Sequence, residues 1–140
     1  MIKIEAVPAD ILSRIRDAQE LLKQEDRVLF AYLFGGLASG RVTPLSDVDI
    51  AVYVLTNSDF HEYKLELFDK LTEALRTAEL DLIILNTAPL SLAGRILQTK
   101  KVLVDKDPPY RYEYESRTLR KFFDFSIKEE DFFRRRYGHG

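Results

Sequence analysis

The sequence predicts an α/β (α+β) protein built on a small mixed β-sheet of about four strands flanked by helices. Short apolar runs typical of buried strands alternate along the chain with longer segments whose apolar residues recur at helical spacing. The 140 residues, of which 46% are hydrophobic and 31% charged, have the composition of an ordinary soluble globular protein. We therefore expect one domain over residues 1–140 with a core of its own.

The N-terminal half begins with an amphipathic helix and continues into the first strand. Apolar residues at helical spacing predict a helix over residues 8–25. The continuously apolar run at residues 28–34 predicts a strand that is buried on both faces, and a glycine pair ends it. Residues 37–45 are expected to form a turn or a short helix, and a second strand follows over residues 47–55.

The central part of the chain alternates between helix and strand. Ser58 is a candidate N-cap for a helix that extends to about residue 77. A third strand is expected over residues 80–85. A short helix follows over residues 89–100, and its first residue is a proline, which suits a first helical turn. Residues 101–104 predict a fourth strand.

A C-terminal helix from about residue 110 to 136 is predicted after a break in the chain at residues 107–109. Its last turn carries the arginines 134–136, which contact RNA or an acidic partner, or lie at a solvated helix end where they favour the negative end of the helix dipole. The helix has more aromatic residues than one buried stripe needs, so the surplus is expected to form a partner surface. The aromatic residues of this segment are Tyr110, Tyr112, Tyr114, Phe122, Phe123, Phe125, Phe132 and Phe133.

The composition excludes several classes of function. The absence of cysteine excludes disulfides, thiolate chemistry and cysteine-based zinc sites. A net charge of -2 argues against a general polyanion binder, so direct nucleic-acid binding is not expected. No apolar run reaches the length of a membrane span, and the N-terminal segment lacks the apolar stretch of a signal peptide. These features predict a cytoplasmic protein that does not act at a membrane.

Asp47 and Asp49 are the first candidate catalytic residues. They are two positions apart at the start of the second predicted strand, so their side chains point to the same face. Two converging carboxylates repel each other unless a cation is present, and hard oxygen ligands of this kind suit Mg²⁺. The alternative is a cap at Ser46-Asp47 with Asp49 facing solvent. Against it, Asp49 is flanked by apolar residues in a strand that should be largely buried, where an unpartnered carboxylate is costly.

The glycine pair Gly35-Gly36 is a candidate phosphate-binding element. Glycines let backbone N–H groups approach phosphate oxygens, and a helix start just after them favours an anion. The alternative for the pair is a turn that merely ends the strand. Arg41, which follows Gly40, is placed to reach a phosphate or else is a solvated arginine.

Asp81 is the third candidate carboxylate, at the start of the third predicted strand. If that strand neighbours the strand of Asp47 and Asp49, three carboxylates meet at one end of the sheet. Two metal ions about 3.5–4 Å apart would then clamp the attacking and leaving oxygens of a phosphoryl displacement. Asp81 would help to deprotonate the acceptor hydroxyl. The alternative for Asp81 is a loop-to-strand cap.

The spacing of these residues resembles a family signature. Gly35-Gly36 is followed by ten residues and then by Asp47-Val48-Asp49. This is similar to the Gly-Ser, ten-residue, Asp-x-Asp signature of the DNA polymerase beta-like nucleotidyltransferase superfamily, and Ser46 and the later Asp81 fit its pattern. In size and in its aromatic, basic C-terminal helix, the chain resembles the minimal nucleotidyltransferases (MNT), the antitoxins of HEPN/MNT toxin–antitoxin pairs.

The resemblance implies a polymerase-beta-like fold and a protein adenylyltransferase. Such an antitoxin transfers AMP from ATP to a tyrosine of a HEPN ribonuclease toxin and silences it, as a homo- or hetero-oligomer. Asp47, Asp49 and Asp81 would be the catalytic and metal-binding residues, holding two Mg²⁺ ions. The nucleotide would be bound by Gly35, Gly36, Ser46 and Arg41.

One position departs from the family pattern. The family's serine, which helps to hold the nucleotide phosphate, is Gly36 in this chain. Loss of a hydrogen bond to a charged group costs about 1.5–3 kcal/mol, or about 10- to 150-fold in affinity. This departure favours one alternative, a non-catalytic antitoxin that neutralises its toxin by binding. A nucleotidyltransferase that acts on a small-molecule hydroxyl is a second alternative within the enzyme class.

Overall fold

A computed structural model describes residues 9–38, 40, 47–55 and 59–137 of the chain. Helices and strands alternate along it, and a one-turn 3₁₀ helix at Leu85–Thr87 separates the third strand from the fourth helix. The remaining elements are α1 (Ala9–Gln24), β1 (Val28–Phe34), α2 (Gly35–Ala38), β2 (Val48–Val54), α3 (Phe60–Leu75), β3 (Leu80–Ile84), α4 (Leu90–Thr99), β4 (Lys101–Asp105) and α5 (Pro108–Tyr137).

The four strands form one mixed sheet in the order β3-β2-β1-β4. β1 lies antiparallel to both of its neighbours, whereas β2 and β3 are parallel. The parallel pair needs a crossover connection, and α3 provides it. The predicted fold class, a small mixed sheet of about four strands flanked by helices, is confirmed.

Helices cover the sheet on both faces. Successive side chains of a strand point to opposite faces, so β1 contributes Ala31 and Leu33 to one core and Phe30 and Tyr32 to the other. The first core lies under α1 and α3, and the second under α4 and α5. Burial on both faces explains why β1 is a continuous apolar run rather than an alternating one.

The first half of α5 is fixed to the sheet by a buried charge network. The guanidinium of Arg111 donates to Asp105 (2.8 Å) and to Glu115 (2.7 Å), and the hydroxyl of Tyr32 donates to the same Glu115 oxygen (2.7 Å). These charged groups are paired with one another in a place that is largely shielded from water. The network therefore fixes the direction in which α5 leaves the sheet.

The second half of α5 is largely exposed. From Phe123 onward, several large apolar side chains are about half exposed or more, whereas Tyr114 in the first half is buried. No helix within the described residues has the length and apolar character needed to cross a membrane. An amphipathic helix with exposed aromatics is instead typical of a protein–protein contact.

Two predicted helices are present but begin one or two residues from the expected position. The expected break at residues 107–109 is the beginning of α5, because a proline in a first helical turn lacks only an N–H that would be unpaired anyway. The side chain of Asp107 accepts from the N–H of Tyr110 (3.1 Å) there. The residue that caps α3 is Asp59, which accepts from the N–H of His61 (2.9 Å). Ser58, the predicted cap, lies outside the described residues.

Candidate functional site

Asp49 and Asp81 lie side by side on neighbouring strands. β2 and β3 are parallel, and their register pairs Asp49 directly with Asp81. Val48 and Ile50 belong to the core under α1 and α3, so Asp49 points to the opposite face of the sheet. The expected neighbourhood of the two strands is confirmed, and it brings both carboxylates to one edge of the sheet.

Asp47 completes an acidic group at this edge. It is exposed and stands immediately before β2, whereas Asp49 is half-buried. Burial, together with the negative charges of Asp81 and Asp47, raises the pKa of Asp49 to about 6. Asp49 is therefore not a fully solvent-facing residue: its side chain is partly buried and lies within electrostatic reach of two other carboxylates.

The acidic group fits a magnesium site that substrate would complete. Among the described side chains, no three acidic or histidine residues are arranged so that they already enclose a metal ion. Mg²⁺ usually binds through one or two carboxylates together with substrate phosphates and water, so it needs no all-protein cage. The assignment of Asp47, Asp49 and Asp81 as metal ligands stays a prediction, and their chemistry and mutual repulsion favour it.

Gly35 lies directly against this acidic group. Its φ of +71° falls in the left-handed region, where residues with a Cβ are strained. A Cβ on Gly35 would also overlap Asp49 Oδ2 and stand 3.1 Å from Asp49 Cγ. Glycine is therefore required here for both its backbone conformation and its lack of a side chain. The role goes beyond that of a turn that merely ends a strand.

The glycine pair is part of a short helix instead of preceding one. β1 ends at Phe34, and α2, a single helical turn, begins at Gly35 and includes Gly36. The approach of backbone to the acidic group therefore comes from the close contact of Gly35 with Asp49. Two predicted nucleotide-binding residues, Arg41 and Ser46, lie outside the described residues.

A cavity of about 320 Å³ opens beside Gly35. Phe34 forms part of its wall and is paired in register with Asp49, so Asp81, Asp49 and Phe34 form a row across three adjacent strands. The cavity thus adjoins the acidic group on the side away from Asp81. Its other lining residues come from α4 and are Leu92, Arg95, Ile96, Gln98 and Thr99.

Arg95, which lines the cavity beside Gly35, is a residue that could not be singled out from the sequence. It is the only charged residue of α4, it is exposed, and it forms no ion pair with any acidic side chain in the described ranges. A lone cation in an otherwise uncharged helix was the available signal. The sequence spacing gave no reason to place it near Gly35, which lies far away along the chain.

A second cavity lies elsewhere. It has a volume of about 490 Å³ and is lined by the start of α3, the end of β3 and the segment from the 3₁₀ helix to α4, including His61, Lys64 and Thr87. None of the three aspartates of the acidic group lines it. The sequence assigns no function to His61, and its position at this cavity does not connect it to the acidic group.

Comparisons with known proteins agree on the type of fold. Residues 16–109 match the family model described as "Polymerase beta, Nucleotidyltransferase". No curated protein is similar enough in sequence to match the chain.

Several solved structures share the fold. One contains a tri-AMPylated Shewanella oneidensis HEPN toxin in complex with an MNT antitoxin; its matching chain is 20% identical, with a TM-score of 0.65 over 86% of this chain and 95% of that one. A toxin–antitoxin structure with AMP-PNP matches at 23% identity and a TM-score of 0.59, covering 89% of this chain and 90% of the other. The toxin–antitoxin MntA-HepT matches at 22% identity and a TM-score of 0.58, covering 88% and 92%.

Proposed function

Since this chain belongs to the polymerase beta nucleotidyltransferase family, matched over residues 16–109, we propose that it is an adenylyltransferase acting on a partner protein. It transfers AMP from ATP to a tyrosine hydroxyl of a HEPN-type toxin and thereby silences the toxin. The protein works in the cytoplasm as an antitoxin, in a complex with that toxin. The observation that carries the proposal is the acidic row of Asp49 and Asp81 with Gly35 packed against it.

Each residue of the site has a place in the reaction. Asp47, Asp49 and Asp81 would hold Mg²⁺, as two ions, together with the phosphates of ATP. Bound Mg²⁺ neutralises charge on the phosphates and makes the α-phosphorus easier to attack. Asp81 accepts the proton of the acceptor hydroxyl, whose oxygen forms the new bond to the α-phosphorus. The bond from that phosphorus to the bridging oxygen breaks, and pyrophosphate leaves with the electron pair.

The remaining predicted residues hold the nucleotide. The backbone N–H groups of Gly35 and Gly36 contact phosphate oxygens, and the lack of a Cβ at Gly35 lets the chain come close to the acidic group. Ser46 and Arg41 add a hydroxyl and a guanidinium to the phosphates. These four contacts offset the repulsion between a triphosphate and three carboxylates.

The exposed end of α5 supports a protein as the acceptor. Five large apolar side chains of its second half are 48% to 64% exposed. Such a group of exposed apolar side chains is typical of a surface that a partner covers. The relatives of similar fold are chains of toxin–antitoxin complexes, one with a tri-AMPylated toxin. The exposed residues are Phe123, Phe125, Ile127, Phe132 and Phe133.

Intact mass measurement tests the proposal. The chain is incubated with a HEPN-type toxin with which it forms a complex, ATP and Mg²⁺, and the toxin is expected to gain the mass of one or more AMP groups. The Asp49→Asn variant should give no adduct, and neither should a reaction with EDTA. A partner whose mass stays unchanged with the wild-type chain would contradict the enzymatic function.

A second candidate is neutralisation by binding alone. The glycine at position 36, where the family has a serine, favours it because one phosphate donor is missing. The two candidates differ in one measurement. If binding suffices, Asp49→Asn neutralises the toxin as well as the wild type does; if transfer is needed, the variant binds the toxin but leaves its ribonuclease activity intact.

A further inference from the structure

The reaction as proposed uses no residue of α4, which forms most of the wall of the cavity beside Gly35. It begins at Gly35 and Phe34 and is bounded by Leu92, Arg95 and Ile96 of α4. Gly35 lies against Asp49, and Phe34 is the register partner of Asp49, so two residues of the cavity wall adjoin the acidic group although no aspartate lines the cavity itself. A ligand held at Asp49 therefore has room to extend into it.

The order of residues along the sheet edge gives the reaction a direction. Displacement at the α-phosphorus places the attacking and leaving oxygens on opposite sides of it. If Asp81 receives the proton of the acceptor, the acceptor lies on the β3 side of Asp49. The leaving pyrophosphate then lies on the β1 side, where the cavity opens beside Gly35.

Arg95 has the properties of a phosphate ligand at this position. Its guanidinium carries a permanent charge and has no ion-pair partner among the described acidic side chains. Phe34, Leu92 and Ile96 form the apolar part of the same cavity. Apolar walls that displace water strengthen a guanidinium–phosphate contact, and arginine can bind two phosphate oxygens at once.

We propose that Arg95 binds the β- and γ-phosphates of the nucleotide in the cavity between β1 and α4 and stabilises the leaving pyrophosphate. The inference rests on the proposed function for the direction of transfer. Arg95 thereby supplies a donor to the distal phosphates in a chain where the family's serine is Gly36. It is a catalytic residue in this proposal, because the charge that it contacts grows as the bond to pyrophosphate breaks.

Equilibrium binding of α,β-methylene-ATP, which resists cleavage at the α-phosphate, tests the assignment on the full chain with Mg²⁺. Arg95→Leu should weaken its binding about 10- to 150-fold, the loss expected for a hydrogen bond to a charged group, whereas Arg95→Lys should retain part of the affinity. Arg16→Leu is the matched control, because Arg16 is also exposed and lies on α1, over the opposite face of the sheet. It should bind like the wild type.

AMP and pyrophosphate, used as competitors, locate the contact on the nucleotide. Arg95→Leu should weaken the binding of pyrophosphate as strongly as the binding of α,β-methylene-ATP, and it should leave competition by AMP unchanged. Unaltered binding of α,β-methylene-ATP, or an equal loss for AMP, would overturn the role of Arg95. Transfer of AMP to the partner by the wild type, measured in parallel, is a separate outcome: its absence despite normal nucleotide binding would reject the proposed function and leave the phosphate site standing.

Discussion

The backbone of Gly35 is packed against the carboxylate of Asp49, so closely that a Cβ on Gly35 would overlap Asp49 Oδ2. The contact joins the end of β1 to the first residues of β2. The register of the two strands maintains it through the pairing of Phe34 with Asp49. The backbone of Gly35 and the carboxylate of Asp49 are thereby held at one place on the sheet edge. A triphosphate and a metal ion need both kinds of group together.

Gly35→Ala is expected to abolish transfer and to destabilise the fold. A residue with a Cβ in the left-handed region costs about 1–2 kcal/mol, and the new methyl group would also push the Asp49 carboxylate from its position. Urea denaturation measures the first effect, and AMP transfer to the partner measures the second. Gly36→Ser is the control, because it restores the family's residue and should preserve or raise nucleotide affinity. Full activity of Gly35→Ala would show that the contact has no catalytic importance.

Asp49→Asn is expected to increase stability in metal-free buffer at neutral pH. Burial and the neighbouring Asp81 and Asp47 raise the pKa of Asp49 from 3.8 to about 6, so its charge destabilises the folded state. That cost develops as the pH rises from about 4 through 6 and is fully present above the folded-state pKa. Thermal unfolding in EDTA should therefore show a larger advantage of Asp49→Asn at pH 7.5 than at pH 4.

The same variant tests metal binding independently of stability. Mg²⁺ should raise the melting temperature of the wild-type chain, because it binds the folded state alone, and should raise that of Asp49→Asn much less. A variant that unfolds in EDTA at neutral pH would instead show that Asp49 supports the fold, and the site assignment would then be wrong.

The acidic group could be predicted from the sequence because a charged residue in an apolar strand is conspicuous. Asp49 and Asp81 are each flanked by apolar residues in short strands, where burial is costly without a reason. The proximity of Asp49 and Asp81 could be predicted only on the condition that their strands are neighbours, because strand order depends on the whole sheet. Arg95 could not be placed, because its position in the cavity beside Gly35 depends on how α4 packs near α2. The start of α5 at Pro108 was misjudged because proline both ends and begins helices.

Arg111→Ala is expected to destabilise the chain by about 3–5 kcal/mol. Removing the guanidinium would leave Asp105 and Glu115 largely buried without their cation, and an uncompensated buried charge is strongly unfavourable. Arg117→Ala is the matched control on the same helix, because its pair with Glu113 is exposed and long at 3.9 Å. It should change the unfolding free energy by less than about 1 kcal/mol. Equal effects in urea denaturation would mean that the network does not anchor α5.

Replacing Phe125 and Phe132 by serine is expected to weaken binding of the partner toxin at least tenfold without unfolding the chain. Both side chains are more than half exposed, so their loss removes little from the core, whereas aromatic residues contribute most strongly where a partner buries them. Binding is measured by titration calorimetry, and melting temperature verifies the fold. Leu65→Ser is the control, because Leu65 is 55% exposed on α3, which covers the other face of the sheet. If the control weakens binding as much as the double variant does, the toxin contacts a different surface.

AMP transfer should fall with partner affinity while nucleotide affinity stays unchanged, because the exposed end of α5 contributes no residue to the acidic group or to the cavity beside it.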